Sequence, residues 1–90
     1  MYEIEVTHRF LKDLKLARKR NLDENKLNDI VELLANGEPL PKKNRDHALV
    51  GDYIGCRECH ISADWLLIYS VEDVVKIITL IRTGSHSDLF

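Results

Sequence analysis

The sequence predicts an α+β domain: an N-terminal strand, a two-helix hairpin, then a three-stranded antiparallel meander, forming one sheet with the helices on one face. Three observations carry that expectation. Residues 2–6 alternate apolar and acidic side chains, two later stretches repeat apolar residues every three to four positions, and residues 53–82 are rich in β-branched and aromatic residues broken by short polar turns. Ninety residues with 44% hydrophobic content supply one core, so residues 1–90 are read as a single domain.

In the first element Tyr2, Ile4 and Val6 share one face and Glu3 and Glu5 the other, the pattern of a half-buried strand. Thr7 is placed to cap a helix from His8 to about Arg20, whose apolar stripe is Phe10, Leu11, Leu14 and Ala17. Asp23 caps a second helix from Glu24 to Ala35, with Leu27, Ile30, Val31 and Leu34 inward and Asn36 and Gly37 as its stop. Only Asn21 and Leu22 separate the two, so they fold back as a hairpin.

Residues 38–52 change character. Pro39 and Pro41 exclude regular helix, and Leu40, Ala48, Leu49 and Val50 are the only apolar anchors. A connection this long in so small a domain often carries function. The meander follows, with strands Tyr53 to Ile61, Asp64 to Ser70 and Val74 to Arg82, a turn at Ser62 and Ala63, and another around Glu72 and Asp73. In the middle strand Trp65, Leu67 and Tyr69 oppose Leu66 and Ile68, so both faces are apolar and the strand belongs at the centre of the sheet. In the first, Cys56, Glu58 and His60 share one face while Arg57, Cys59 and Ile61 share the other.

Several classes of function fall away. No apolar run approaches the ~20 residues that cross a bilayer, and the chain opens on a strand pattern where a signal peptide needs a basic then apolar stretch, so the expectation is a cytoplasmic protein without membrane contact. Cys56 and Cys59 have CxxC spacing, but on a strand their Cα atoms stand roughly 10 Å apart, too far for a disulfide. A zinc set of Cys56, Cys59, His60 and His86 is the weaker reading beside two free thiols. There is no Gly-rich phosphate loop, no HExxH and no serine elbow, and the aspartates lack calcium-loop spacing. Asp46, Glu58 and Asp64 keep a metal-dependent nuclease only as a minor option, so neither metal nor cofactor is expected. The net charge is −2, yet residues 1–45 hold ten Lys or Arg against eight Asp or Glu, and residues 46–90 three against seven. A basic field can exist on such a molecule.

Three of the four histidines, His47, His60 and His86, lie outside the helical stretches, each near a carboxylate. Singly, each reads as an ordinary loop or strand residue, His60 pairing across its hairpin with Asp64. Together they suggest acid–base work near neutral pH. RNA cleavage without a metal needs a base for the 2'-hydroxyl, an acid for the departing 5'-oxygen and a cation for the phosphoryl oxygens. His47, His60, His86, Asp64 and Glu58 are the catalytic candidates, and Arg57, Arg82 and Lys43 the phosphate-binding ones. Trp65 and Phe90 are candidates for stacking on bases.

Three blocks in order carry a resemblance: Asp46, His47, Ala48 and Leu49 with Gly51; Arg57 to Ile61 with Asp64, Trp65, Leu67, Ile68 and Tyr69; and Arg82 to His86 with Leu89 and Phe90. Over nearly its whole length the chain resembles the RelE superfamily of toxin–antitoxin ribonucleases, most closely the YafQ-like branch. The resemblance implies the RelE-like fold and a ribosome-dependent endoribonuclease that cuts messenger RNA and is neutralised by a cognate antitoxin, with operator DNA reached only through that antitoxin. It implies that His47, His60, Asp64 and His86 occupy the catalytic positions and that Phe90 positions the message. Glu58 stands where relatives carry an aspartate. A non-catalytic interaction or operon-repressing module of the same fold is the alternative.

Overall fold

The computed structural model describes residues 1–90. Strand β1 (Glu3–Val6) leads into helices α1 (His8–Lys19) and α2 (Glu24–Ala35); strands β2 (His47–Ala48), β3 (Arg57–Ser62), β4 (Trp65–Glu72) and β5 (Ile77–Gly84) follow, and a short helix α3 (His86–Leu89) ends the chain. The sheet order is β1-β5-β4-β3-β2, with β1 parallel to β5 and the other pairs antiparallel. The expected α+β architecture is present, with a fifth strand at the edge where His47 and Ala48 pair with Glu58 and Arg57.

Both helix starts follow the capping rule: the Thr7 hydroxyl accepts from the Phe10 N–H and the Asp23 carboxylate from the Asn25 N–H. Between helices and sheet lies the main core, in which Phe10, Ala17, Leu27, Ile30 and Leu34 meet Cys59, Trp65, Leu67, Tyr69, Ile78 and Leu80. Residues 65–69 are all buried, as a central strand with two apolar faces requires. The far face holds a smaller cluster of Leu66, Ile68 and Leu89, flanked by Leu49, Tyr53, Cys56 and Ile81. No helix is long and apolar enough to cross a membrane.

The strand boundaries expected at two places move inward. Residues 51–53 form a 3-10 turn, framed by Gly51 at φ 71° and Gly55 at φ 89°, so β3 begins at Arg57 rather than Tyr53. Residues 73–76 turn, with Lys76 at φ 58°, which leaves Val74 97% exposed and starts β5 at Ile77 rather than Val74. Two adjacent valines are a strand signal, but the chain must reverse there so that Ile77 meets Glu72. Leu11 is also outside the core, and Asp13 takes an inward position beside Leu14.

Candidate active site

Cross-strand partners share a face. The register places His47, Glu58, Ile68 and Arg82 in one row across β2, β3, β4 and β5, and His60, Leu66 and Gly84 in the next. Ile68 and Leu66 belong to the cluster away from the helices, so Glu58 and His60 project onto that face one two-residue step, about 7 Å, apart. α3 begins two residues after Gly84, at His86, and so lies at the His60 end of the face.

His47 is fixed at Nδ1 and faces a carboxylate at Nε2. Its Nδ1 lies 2.6 Å from the Arg45 carbonyl, which can only accept, so Nδ1 carries the proton. Its Nε2 lies 3.5 Å from Oε1 of Glu58, whose side chain is 4% exposed. The other Glu58 oxygen is buried without a partner. Because Nδ1 is committed as donor, a proton arriving at Nε2 is held against the carboxylate, which is the arrangement a general base needs.

The Arg45 carbonyl points this way because Arg45 is left-handed, φ 48°, at the end of the 3-10 turn Lys42–Asn44. Asn44, 5% exposed, donates from Nδ2 to the His60 carbonyl at 2.7 Å. One short turn therefore fixes His47 by its ring and β3 at His60 by its backbone. Neither Asn44 nor Arg45 is marked by the sequence as anything but loop.

His86 is set by α3. Ser85 and Asp88 form a reciprocal capping box, and the His86 backbone N–H reaches Asp64 Oδ1 at 3.3 Å. Asp64 thus binds the start of α3 and is not paired with His60 across the hairpin. Arg20 of the segment after α1 clamps Asp88 with contacts of 2.6 and 3.3 Å. That guanidinium, and next the Ser85 N–H, hold the Asp88 carboxyl well below the usual carboxylate range. Gly84 is required for this return, since a Cβ there would stand 2.9 Å from that of Asp88. Phe90 is 60% exposed, with ring centroids 5.4 Å from His86 and 5.7 Å, edge-on, from Tyr53. Its free face suits a base.

The cations divide. β1 pairs only as far as Leu80, and just beyond it Arg82 bonds Asp13 of α1 twice, at 2.7 and 3.2 Å, and lies 3.5 Å from the Tyr53 hydroxyl. Lys43 is exposed on the 3-10 turn. Two expectations need correction. Arg57 sits opposite Tyr69 on the helix side and bonds Asp46 at 3.2 Å, so it does not join the histidines. Trp65 is 2% exposed in the main core, with no face free for a base. Asp13 was legible in principle: Phe10, Asp13, Leu14 and Ala17 are spaced i, i+3, i+4, i+7, which puts a carboxylate in an inward stripe.

Comparison with known proteins decides the family. Residues 2–90 match the family model described as bacterial toxin of type II toxin–antitoxin system, YafQ. The chain belongs to the YafQ toxin family. It is 44% identical to the mRNA interferase toxin YafQ of Escherichia coli strain K12 over 89 residues, covering 98% of this chain and 95% of that one. YafQ in the crystal structure of the E. coli DinJ-YafQ complex superposes with a TM-score of 0.91 at 43% identity, covering 100% of this chain and 99% of the other. A metal-bound toxin from Helicobacter pylori superposes with a TM-score of 0.93 at 41% identity, each chain covered in full. The RelE-like fold and the YafQ-like branch expected from the three sequence blocks are both present.

Proposed function

We propose that this YafQ-family chain is a ribosome-dependent endoribonuclease that cuts messenger RNA by metal-free acid–base catalysis. The observation that carries the proposal is the His47 ring, donor-locked at Nδ1 and facing the buried Glu58 carboxylate at Nε2, one strand step from His60. In this reading His47 or His60 takes the 2'-hydroxyl proton, the resulting oxygen attacks phosphorus, and the P–O5' bond breaks. His86 returns a proton to the departing 5'-oxygen. The products are a 2',3'-cyclic phosphate, which water opens to a 3'-phosphate, and a free 5'-hydroxyl.

Arg82 and Lys43 stabilise the phosphoryl charge, with Arg82 swinging from Asp13 or acting through the pair. Phe90 stacks on a base of the message. Asp64 acts by holding the α3 N-terminus on which His86 stands. The partner is a cognate antitoxin, supported by the DinJ complex of the E. coli relative. Operator DNA is reached only through that antitoxin.

The test is cleavage of a defined message on translating ribosomes, with product ends mapped, in excess chelator at preserved ribosome integrity. Cyclic or 3'-phosphate ends formed in chelator are expected. Cleavage that vanishes and returns only with a transition metal overturns the metal-free scheme. Arrest of translation that survives His60→Ala and His86→Ala overturns the nuclease itself in favour of a binding toxin.

A further inference from the structure

The largest hollow in the molecule, about 700 Å³, lies between α2 and the turn 42–45, with His60 contributing to its lining. Its apolar part comes from Ile30 and Leu33 of α2 and Ile61 of β3, and Lys26, Lys43 and Arg45 add three cations against the single carboxylate of Asp29. None of those three cations is in an ion pair. In the smaller hollow beside α1, by contrast, two of the three cations, Arg20 and Arg82, are each bound by an aspartate and only Arg9 is unpaired. A protein of net charge −2 has concentrated unneutralised positive charge on the helix side of the strand that carries a candidate catalytic histidine.

The wall also contains Asn44, 5% exposed. Its Nδ2 is committed to the His60 carbonyl, which fixes the amide orientation and leaves Oδ1 a buried acceptor without a partner. A buried acceptor left unpaired is a cost that a donor approaching through this hollow would remove. An apolar surface for a base or sugar, cations for phosphates and a spare acceptor for a hydroxyl or base N–H together describe a nucleotide site.

We infer that the hollow between α2 and residues 42–45 is a subsite for the single-stranded RNA nucleotides flanking the scissile phosphate, with Lys26 and Arg45 as backbone contacts beyond Lys43. This rests on the nuclease reading for its biological setting, but the binding itself does not require cleavage. Continuity with the catalytic face favours RNA over an acidic peptide: Ser62 and Ala63 at the β3–β4 hairpin line the hollow and the next residue, Asp64, holds His86, so a strand leaving the hollow rounds that hairpin to reach the histidine face.

The experiment is an NMR titration of the isolated protein with a short single-stranded RNA, 2'-O-methylated throughout so that it cannot be cut, at several salt concentrations. Shifts are expected at Lys26, Ile30, Lys43, Asn44 and Arg45. The Lys26→Ala, Arg45→Gln double variant should bind about tenfold more weakly. Its salt slope should flatten by about 1.4, since each single-strand phosphate contact contributes about 0.7. Lys26→Arg should bind like the parent. Unchanged affinity and slope in the double variant overturn the subsite, as do hollow resonances that move only with an acidic peptide. Ribosome cleavage is scored separately: a parent that binds through the hollow but does not cut sinks the nuclease and leaves the subsite, while one that cuts with hollow resonances unmoved by RNA does the reverse.

Discussion

His47 Nε2 faces Glu58 Oε1 at 3.5 Å, with the carboxylate 4% exposed and its second oxygen unpaired. A buried charge with half its hydrogen-bonding capacity unused is costly to folding, and it persists where it serves chemistry. Glu58→Gln keeps the volume and removes the charge. The variant should unfold at equal or higher denaturant concentration than the parent while ribosome-dependent cleavage falls by about 100-fold, the low end of what a lost acid–base group costs. A variant that is less stable and fully active would reverse the assignment.

Asp13 bonds Arg82 twice and also accepts from the Thr83 N–H at 3.1 Å. Both side chains of the ion pair are less than 15% exposed, at 14% and 11%. Removing one partner strands the other, so Asp13→Ala should cost about 3 kcal/mol in urea unfolding. A loss within about 0.5 kcal/mol, as for an ordinary surface position, would show that the pair is not a structural tie.

Trp65 distinguishes core from ligand contact. Trp65→Phe should lower stability by about 1–3 kcal/mol through lost volume while RNA affinity stays unchanged. Phe90→Ala should do the opposite, with stability nearly intact and a higher substrate concentration needed for half-maximal cleavage. Parallel denaturation and cleavage series separate the two.

Acid should loosen α3 in a way that depends on Arg20. Asp88 has its carboxyl lowered in the folded state, so its stabilising contribution is complete above the unfolded value of about 3.9 and is lost as pH falls toward the folded one. In Arg20→Ala that protection shrinks, and the resonances of residues 85–90 should broaden or shift at a higher pH than in the parent. Identical acid titrations of the two proteins would contradict the clamp.

Cys59 offers a check on the core. Burial first, then the charges of Asp46 and Glu58, push its thiol up to about 12. Alkylation at pH 8 should leave Cys59 unmodified in the native protein and modify it on unfolding, as read by peptide mass spectrometry. Native labelling of Cys59 would mean that β3 opens readily.

Much of this molecule could be read before folding. The helix caps at Thr7 and Asp23, the central place of residues 65–69 and the shared face of Glu58 and His60 follow from short-range rules, and the structure obeys them. What escaped depends on contacts between distant parts of the chain. Asp13 meets Arg82 across 69 positions and Arg20 meets Asp88 across 68. Arg45 adopts a backbone shape that its side chain does not advertise. Trp65 was misread because an aromatic residue near catalytic candidates has the same signature as one that fills a core.

The parallel pairing of β1 with β5 means that the first strand made waits for the last, and β5 then sits between β1 and β4. A half-synthesised chain has neither a closed sheet nor the platform that carries His86. If the protein attacks translation, its own order of assembly keeps it harmless to the machine producing it until almost the whole polypeptide has emerged.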